Sequence, residues 1–336
     1  MKRTAKFLIL LFLLFLLLIL TAMIALSQSE SDYWKTDKYK EVITGIKKAK
    51  MGYSDSEIDS LFSDARLKFY PDIHGVFKKA KKMERSTTSN VYLNFLKPGS
   101  VKNGKEFLEN HIKFLEEVER TSGIEKETVV ALFRVESNFG RYQKTHQTFG
   151  VLNSIIYYGE PNSSRTDWGK KHLVSFMKFH KNMGEDVGKD IFSIYSSYAG
   201  ALGIPQFLPY NYERYAVDGN EDGKIDLFNS FADAAWSTVN LLKANGWFEN
   251  KRRALYRWNR STKFVNCILE YSEQLKEKTS EGVILEYLVP KNEPPVFNKN
   301  RGFLFSSRNY ISNSPSLFKQ LGGVEHPLIG FLCWKL

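Results

Sequence analysis

Cysteine is almost absent from this sequence. Only Cys267 and Cys333 occur in 336 residues, so a disulfide framework is excluded, leaving one possible pair or two free thiols. The six histidines show neither His-Glu-x-x-His nor any other metal spacing. That excludes a zinc-hydrolase signature, and all six read as ordinary surface or core residues. No segment repeats at a fixed period, and no run alternates apolar and polar residues strongly. Solenoids and sheet-built folds are therefore excluded, and the class is mainly α. The glycines near residue 200 are not followed by Lys-Ser/Thr, so they do not form a phosphate loop.

Apolar and basic residues are plentiful. Hydrophobic residues make up 43% and aromatics 14%, enough for a substantial core and more than one lobe. The formal charge is +11. It suits an anionic partner, whether nucleic acid, anionic lipid or an acidic cell-wall polymer, without choosing among them. Lys2, Arg3 and Lys6 precede an apolar run from Phe7 to Leu26, with Ala25-Leu26-Ser27 after it. This pattern fits either a cleaved signal or an uncleaved inner-membrane anchor through residues 7–26, and the bulk of the chain is expected outside the cytoplasm. No Cys stands at 20–30 to carry a lipid anchor.

One stretch organises the rest. In Thr128 to Tyr142, helical spacing places Val129, Leu132, Phe133 and Glu136 on one face, with Gly140 as the stop. A carboxyl there meets desolvation and the negative end of the helix dipole, both of which raise its pKa. A carboxyl that keeps its proton is a general acid. The same spacing also fits a solvated side chain after a core run. Around this stretch, Tyr39–Lys50 reads as a basic helix. Ser54 to Glu57 forms a capping box before a stripe of Ile58, Leu61, Phe62 and Ala65. Residues 78–90 read as a solvated connection, and Lys97-Pro98-Gly99-Ser100 as a turn. One helix is expected over Glu106–Thr121 ending at Gly123, and another over Trp168–Asn182.

Further clusters follow. Ser197-Tyr198-Ala199-Gly200-Ala201-Leu202-Gly203-Ile204-Pro205-Gln206-Phe207-Leu208-Pro209 is rich in small residues. It is either a tight packing turn or a place where something approaches the backbone, with Ser197 and Gln206 at the rim. Asp218 to Asn229 fits an EF-hand loop at positions 1, 3, 5, 6 and 9. The candidate ligands are Asp218, Asn220, Asp222 and Lys224, with Asn229 or Asp233 closing, and hard oxygen donors favour a single structural Ca²⁺. A solvated acidic turn is the alternative. Arg257-Trp258-Asn259-Arg260-Ser261 pairs an aromatic with an amide, suiting a sugar or a packed helix start.

Together these residues resemble the lytic transglycosylase B family of bacterial cell-wall enzymes. Val135-Glu136-Ser137-Asn138-Phe139-Gly140-Arg141 is similar to its catalytic Glu motif, Ala199–Pro209 to its second motif, Asp218–Asn229 to its calcium site and Arg257-Trp258-Asn259 to its later Tyr-Asn pair. The four fall in order over residues 40 to 275. The resemblance implies a goose-type-lysozyme-like core, placed at 104–280, with an additional helical lobe at 28–103. The leader at 1–27 and the Pro- and Gly-marked linker and tail at 281–336 are read from their residues, and the tail matches nothing in the family. It implies a periplasmic or envelope enzyme, monomeric and without a nucleic-acid partner, acting on peptidoglycan glycan strands. Such an enzyme cleaves the MurNAc-β-1,4-GlcNAc bond and leaves 1,6-anhydro-MurNAc ends. Glu136 would be acid and then base. Ser197, Gln206 and Asn259 would hold the sugar at the cleavage point, with Arg165 and Trp258 as more distant contacts. A hydrolytic muramidase and a non-catalytic wall-binding or assembly protein are the alternatives. Leu241, where the family often has Tyr, and the residue inserted before Asp233 depart from the pattern.

Overall fold

The computed structural model describes residues 12–19, 21, 33–49, 51–85, 91–142, 145–180, 183 and 190–277. The tail at 281–336 and most of the apolar run Phe7–Leu26 lie outside these residues. Among the described residues no helix is long and apolar enough to cross a membrane. The helices are α1 (Asp37–Lys48), α2 (Asp55–Phe62), α3 (Ile73–Arg85), α4 (Pro98–Asn110), α5 (Ile112–Ser122), α6 (Lys126–Ser137), α7 (Thr148–Tyr157), α8 (Ser164–His180), α9 (Pro209–Tyr215), α10 (Phe231–Ala244), α11 (Lys251–Trp258) and α12 (Thr262–Lys276). Two short strands, β1 (His146–Gln147) and β2 (Tyr195–Ser196), pair antiparallel.

Local chemistry accounts for several boundaries. The Ser54 hydroxyl accepts from the Glu57 amide while Glu57 returns a bond to the Ser54 amide, the reciprocal capping box that opens α2. Gly123, at φ 73°, closes α5 in the left-handed region.

Three expectations change. Residues 78–85 belong to α3 instead of a solvated connection, because Ile73, Phe77 and Ala80 form one buried stripe beneath an otherwise charged helix. Pro98 does not make a turn. It stands at the first position of α4, where its missing N–H would have no intrahelical partner. The single helix expected over Glu106–Thr121 is two helices broken at His111, whose φ is −121° and whose ring stacks on Phe107.

Packing is arranged around α6, which is buried from Glu127 through Ser137. Helices α12 and α4 pack on α6, while α7, α9 and α1 pack against α8. Gly104 lets α4 lie close to α12, since a Cβ there would stand 2.3 Å from the Tyr271 hydroxyl. That hydroxyl donates to the Ser100 carbonyl at 2.6 Å. One apolar cluster runs from Tyr33 to Leu275, so the first helices share a core with α6. A second cluster sets Ile73, Phe77 and Ala80 of α3 against Val151, Ile155, Tyr198 and Ala199. Cys267 is buried and makes no disulfide among the described residues, and burial pushes its thiol up to about 12.

Candidate active site

Helix α6 stops abruptly after its glutamate. The expected stop at Gly140 moves forward, because Asn138 and Phe139 already lie at φ 50° and 59°, followed by Gly140 at 81°. The Phe139 amide bonds back to the Phe133 carbonyl at 2.9 Å, closing the helix end. An aromatic residue in the left-handed region is strained by on the order of 1–3 kcal/mol. Phe139 is held there by stacking on Phe107 at 4.2 Å and an interplanar angle of 8°. Glu136 is 1% exposed, so of the two placements its spacing allowed, the buried one is found.

The small-residue motif meets the end of α6 through Ser137. The Ser137 hydroxyl donates to the Ile204 carbonyl at 2.7 Å and accepts from the Gly140 amide at 2.8 Å. Leu202 and Phe207 exchange two backbone hydrogen bonds at 2.8 Å, and Gln206 lies between them at φ 49°. The buried Gln206 amide donates to the Gly203 carbonyl at 2.8 Å. At Gly203, φ is 72° and a Cβ would stand 2.5 Å from the Leu227 carbonyl oxygen. The close approach here is therefore made by the protein's own backbone. Ser137 carries this junction, and no spacing argument marked it.

Trp258 departs from its expected place as a distant contact. It is buried, and its indole Nε1 donates to Glu136 Oε1 at 2.6 Å. Its ring packs on Phe207 at 5.4 Å. The end of α11 thus reaches the Glu136 carboxyl, and the second motif packs beside it through Phe207 on Trp258 and Ile204 on Ser137. Asn259, next in sequence, is fully buried, and among the described residues neither its Oδ1 nor its Nδ2 has a hydrogen-bond partner. An amide so placed is costly unless something supplies its partners.

Ser197 and Arg165 belong to a neighbouring cluster. Ser197 follows β2, and its hydroxyl accepts from the amides of Ala199 at 3.3 Å and Ala201 at 3.2 Å. Tyr198 packs on Phe77 of α3 at 5.4 Å. The Arg165 guanidinium lies over Phe77 at 4.2 Å and Trp168 at 5.6 Å. Burial presses that guanidinium below its usual pKa, against the opposing influence of Tyr198.

The acidic loop is folded by its own side chains. Asp218 accepts from the amides of Asp222 and Gly223, Asn220 and Asp222 bond to each other, and Asp222 accepts from the Lys224 amide. Asp233, a candidate closing ligand, is 1% exposed and faces inward. Its oxygens accept from the amides of Gly219 at 2.9 Å and Asp226 at 2.7 Å. The position of Asp233 inside the first turn of α10 turns it toward the loop backbone, so it braces the loop. Oxygens of Asp218, Asn220 and Asp222 suit a hard cation chemically. Among the described residues, however, no three acidic, His or Cys side chains are grouped to hold a metal.

This helical core has the fold of solved lytic transglycosylases. It matches the Escherichia coli lytic transglycosylase Slt35 in complex with calcium with a TM-score of 0.57 at 19% identity, over 70% of this chain and 92% of that one. It matches SltB3 from Pseudomonas aeruginosa in complex with NAG-NAM-pentapeptide with a TM-score of 0.50 at 28% identity, over 61% of this chain and 52% of that one. Membrane-bound lytic murein transglycosylase B of Escherichia coli (strain K12) is 30% identical over 161 residues, 48% of this chain. The chain spans 42% of the length of that curated relative. The family model of the transglycosylase SLT domain matches residues 37–255, and the chain belongs to that family.

The unpartnered amide of Asn259 yields a stability test. Asn259→Leu, which keeps the number and branching of the side-chain heavy atoms, removes two buried polar atoms that the fold leaves unsatisfied, each worth about 1–3 kcal/mol. The expected result is a denaturation midpoint equal to or above that of the unsubstituted protein. A loss of stability would show that the fold itself uses the amide.

Proposed function

We propose that this chain is an exported peptidoglycan lytic transglycosylase in which Glu136 acts first as acid and then as base. The observation that carries the reading is the buried Glu136 carboxyl held at 2.6 Å by the indole N–H of Trp258, which joins the first and fourth motifs. Burial disfavours charge on the carboxyl and so supports a proton kept ready for transfer. Glu136 gives that proton to the glycosidic oxygen as the bond from the MurNAc anomeric carbon to that oxygen breaks. The carboxylate then takes the proton of the MurNAc 6-hydroxyl as its oxygen bonds to the same carbon. The proton count closes without water, and the product is a 1,6-anhydro end. A second protein carboxylate, as in the two-carboxylate glycosidases, is replaced here by the substrate's own N-acetyl group beside the cationic carbon.

Asn259 is well suited to that acetamido group, because its buried amide offers a donor nitrogen and an acceptor oxygen that the described residues leave unused. Ser197 and Gln206 are assigned the rest of the sugar nearest the cleavage point, and Arg165 a more distant contact beside α3. The protein would work as a monomer in the periplasm or envelope, with residues 7–26 as signal or inner-membrane anchor. Digestion of purified peptidoglycan followed by mass spectrometry tests the assignment. Anhydro ends are expected from the unsubstituted protein, and Glu136→Gln is expected to lose turnover while still sedimenting with the wall. Reducing ends in place of anhydro ends would make the protein a muramidase, and unimpaired Glu136→Gln would remove Glu136 from the chemistry.

Calcium at Asp218, Asn220, Asp222 and the Lys224 main chain is proposed as a structural ion, supporting the loop on which Gly203 rests and taking no part in the proton steps. At a calcium concentration one hundred times the dissociation constant, such a site adds about 2.7 kcal/mol of stability. Chelation is therefore expected to lower the melting temperature. An unchanged melting temperature with and without chelator would count against a bound ion.

A further inference from the structure

Glu84 lies in the last turn of α3, well before the four motifs in sequence. Its carboxylate accepts from the Ser261 hydroxyl at 2.6 Å, and its main-chain carbonyl accepts from Lys263 Nζ at 2.8 Å. Ser261 is 1% exposed and has two further tasks. Its hydroxyl caps α12 by accepting from the Phe264 amide at 3.0 Å, and its own amide bonds to the Asn259 carbonyl at 2.7 Å. The main-chain N–H of Asn259 closes α11 on the Leu255 carbonyl at 2.9 Å. Trp258 ends that helix and holds Glu136. A continuous line of contacts thus leads from Glu84 through Ser261 and Asn259 to Trp258 and the reacting carboxyl.

A hydroxyl has one proton to give. At Ser261 it goes to Glu84, while the oxygen receives the α12 cap, so Glu84 fixes the rotamer that makes the cap possible. The joint between α11 and α12 is only three residues long, 259–261, and the placement of Trp258 and Asn259 depends on its position. The other end of α3 is pinned independently, through Phe77 on Tyr198 beside Ser197. Helix α3 therefore spans the two motifs that flank Glu136, its contact residues about 10 Å apart at 1.5 Å per residue.

We propose that Glu84 is a positioning residue for the reaction: through Ser261 it sets where Trp258 and Asn259 stand relative to Glu136. The proposal rests on the assignment of Glu136 above. A small displacement of groups around a reacting atom reduces turnover far more than binding. Glu84→Ala is therefore expected to lower kcat on purified peptidoglycan by about tenfold or more, with little change in KM. Glu84→Gln keeps an oxygen that accepts from Ser261 and is expected to restore most of the loss.

The decisive readout is the indole N–H cross-peak of Trp258, assigned by its disappearance in Trp258→Phe. It is expected to move in Glu84→Ala and to return to its original place in Glu84→Gln. If Glu84→Ala does not fold, Glu84→Met, which keeps the side-chain stem without the oxygens, takes its place. An unmoved cross-peak, a loss confined to KM, or a Glu84→Gln variant as impaired as the truncation would each overturn the proposal. Absence of turnover in the unsubstituted protein would instead strike at the assignment of Glu136, and the cross-peak would still decide the role of Glu84.

Discussion

A single hydrogen bond, from the indole N–H of Trp258 to a carboxyl oxygen of Glu136, ties the site together. A carboxyl at 1% exposure needs a partner, since a buried polar group without one is costly. Trp258 supplies a donor that carries no charge, so it can orient the acid without pairing it as a cation would. To reach Glu136 the indole must lie on Phe207, and Phe207 must be held by its reciprocal backbone bonds to Leu202. The second motif is thereby fixed to the fourth. Ser137 fixes it to the first, through the Ile204 carbonyl.

The fold carries strain and dissatisfaction near this bond. Phe139 occupies a left-handed conformation next to the acid, and Asn259 is buried with neither end of its amide engaged. Both features reduce stability, and both lie within three residues of Glu136 or directly beside Trp258. Local conflicts of this kind concentrate at functional sites, where the surrounding structure must hold them in place. Here the compensation is visible: Phe107 stacks on Phe139, and α6 is enclosed by α4 and α12.

How much of this could be read from residue order depended on range. The helix face that carries Glu136 followed from a spacing of three, four and seven residues, and the capping box at Ser54 from a spacing of three. Gly123 was equally local, as were Ile58, Leu61 and Phe62 of the α2 stripe, whereas Ala65 stands exposed beyond the end of that helix. Trp258 acts on Glu136 across 122 residues, and no periodicity reports such a partner. Helix α3 was hidden for another reason. Lys78, Lys79, Lys81 and Lys82 dominate its composition, while its buried face is a single narrow row. In the acidic loop the pattern of ligand types was evident, but the inward turn of Asp233 is set by where α10 begins. The glycines of the second motif signalled a close approach, and only the structure identified the approaching group as Leu227.

The account stands or falls on whether Trp258 and Glu136 act as a pair. A double-mutant cycle in equilibrium unfolding, using Trp258→Phe, Glu136→Ala and the combination, measures that coupling with the effects of lost volume cancelling between its arms. A buried bond from N–H to carboxyl predicts a coupling of about 1–3 kcal/mol. Strict additivity of the two substitutions would contradict it, and with it the joining of the first and fourth motifs at one acid.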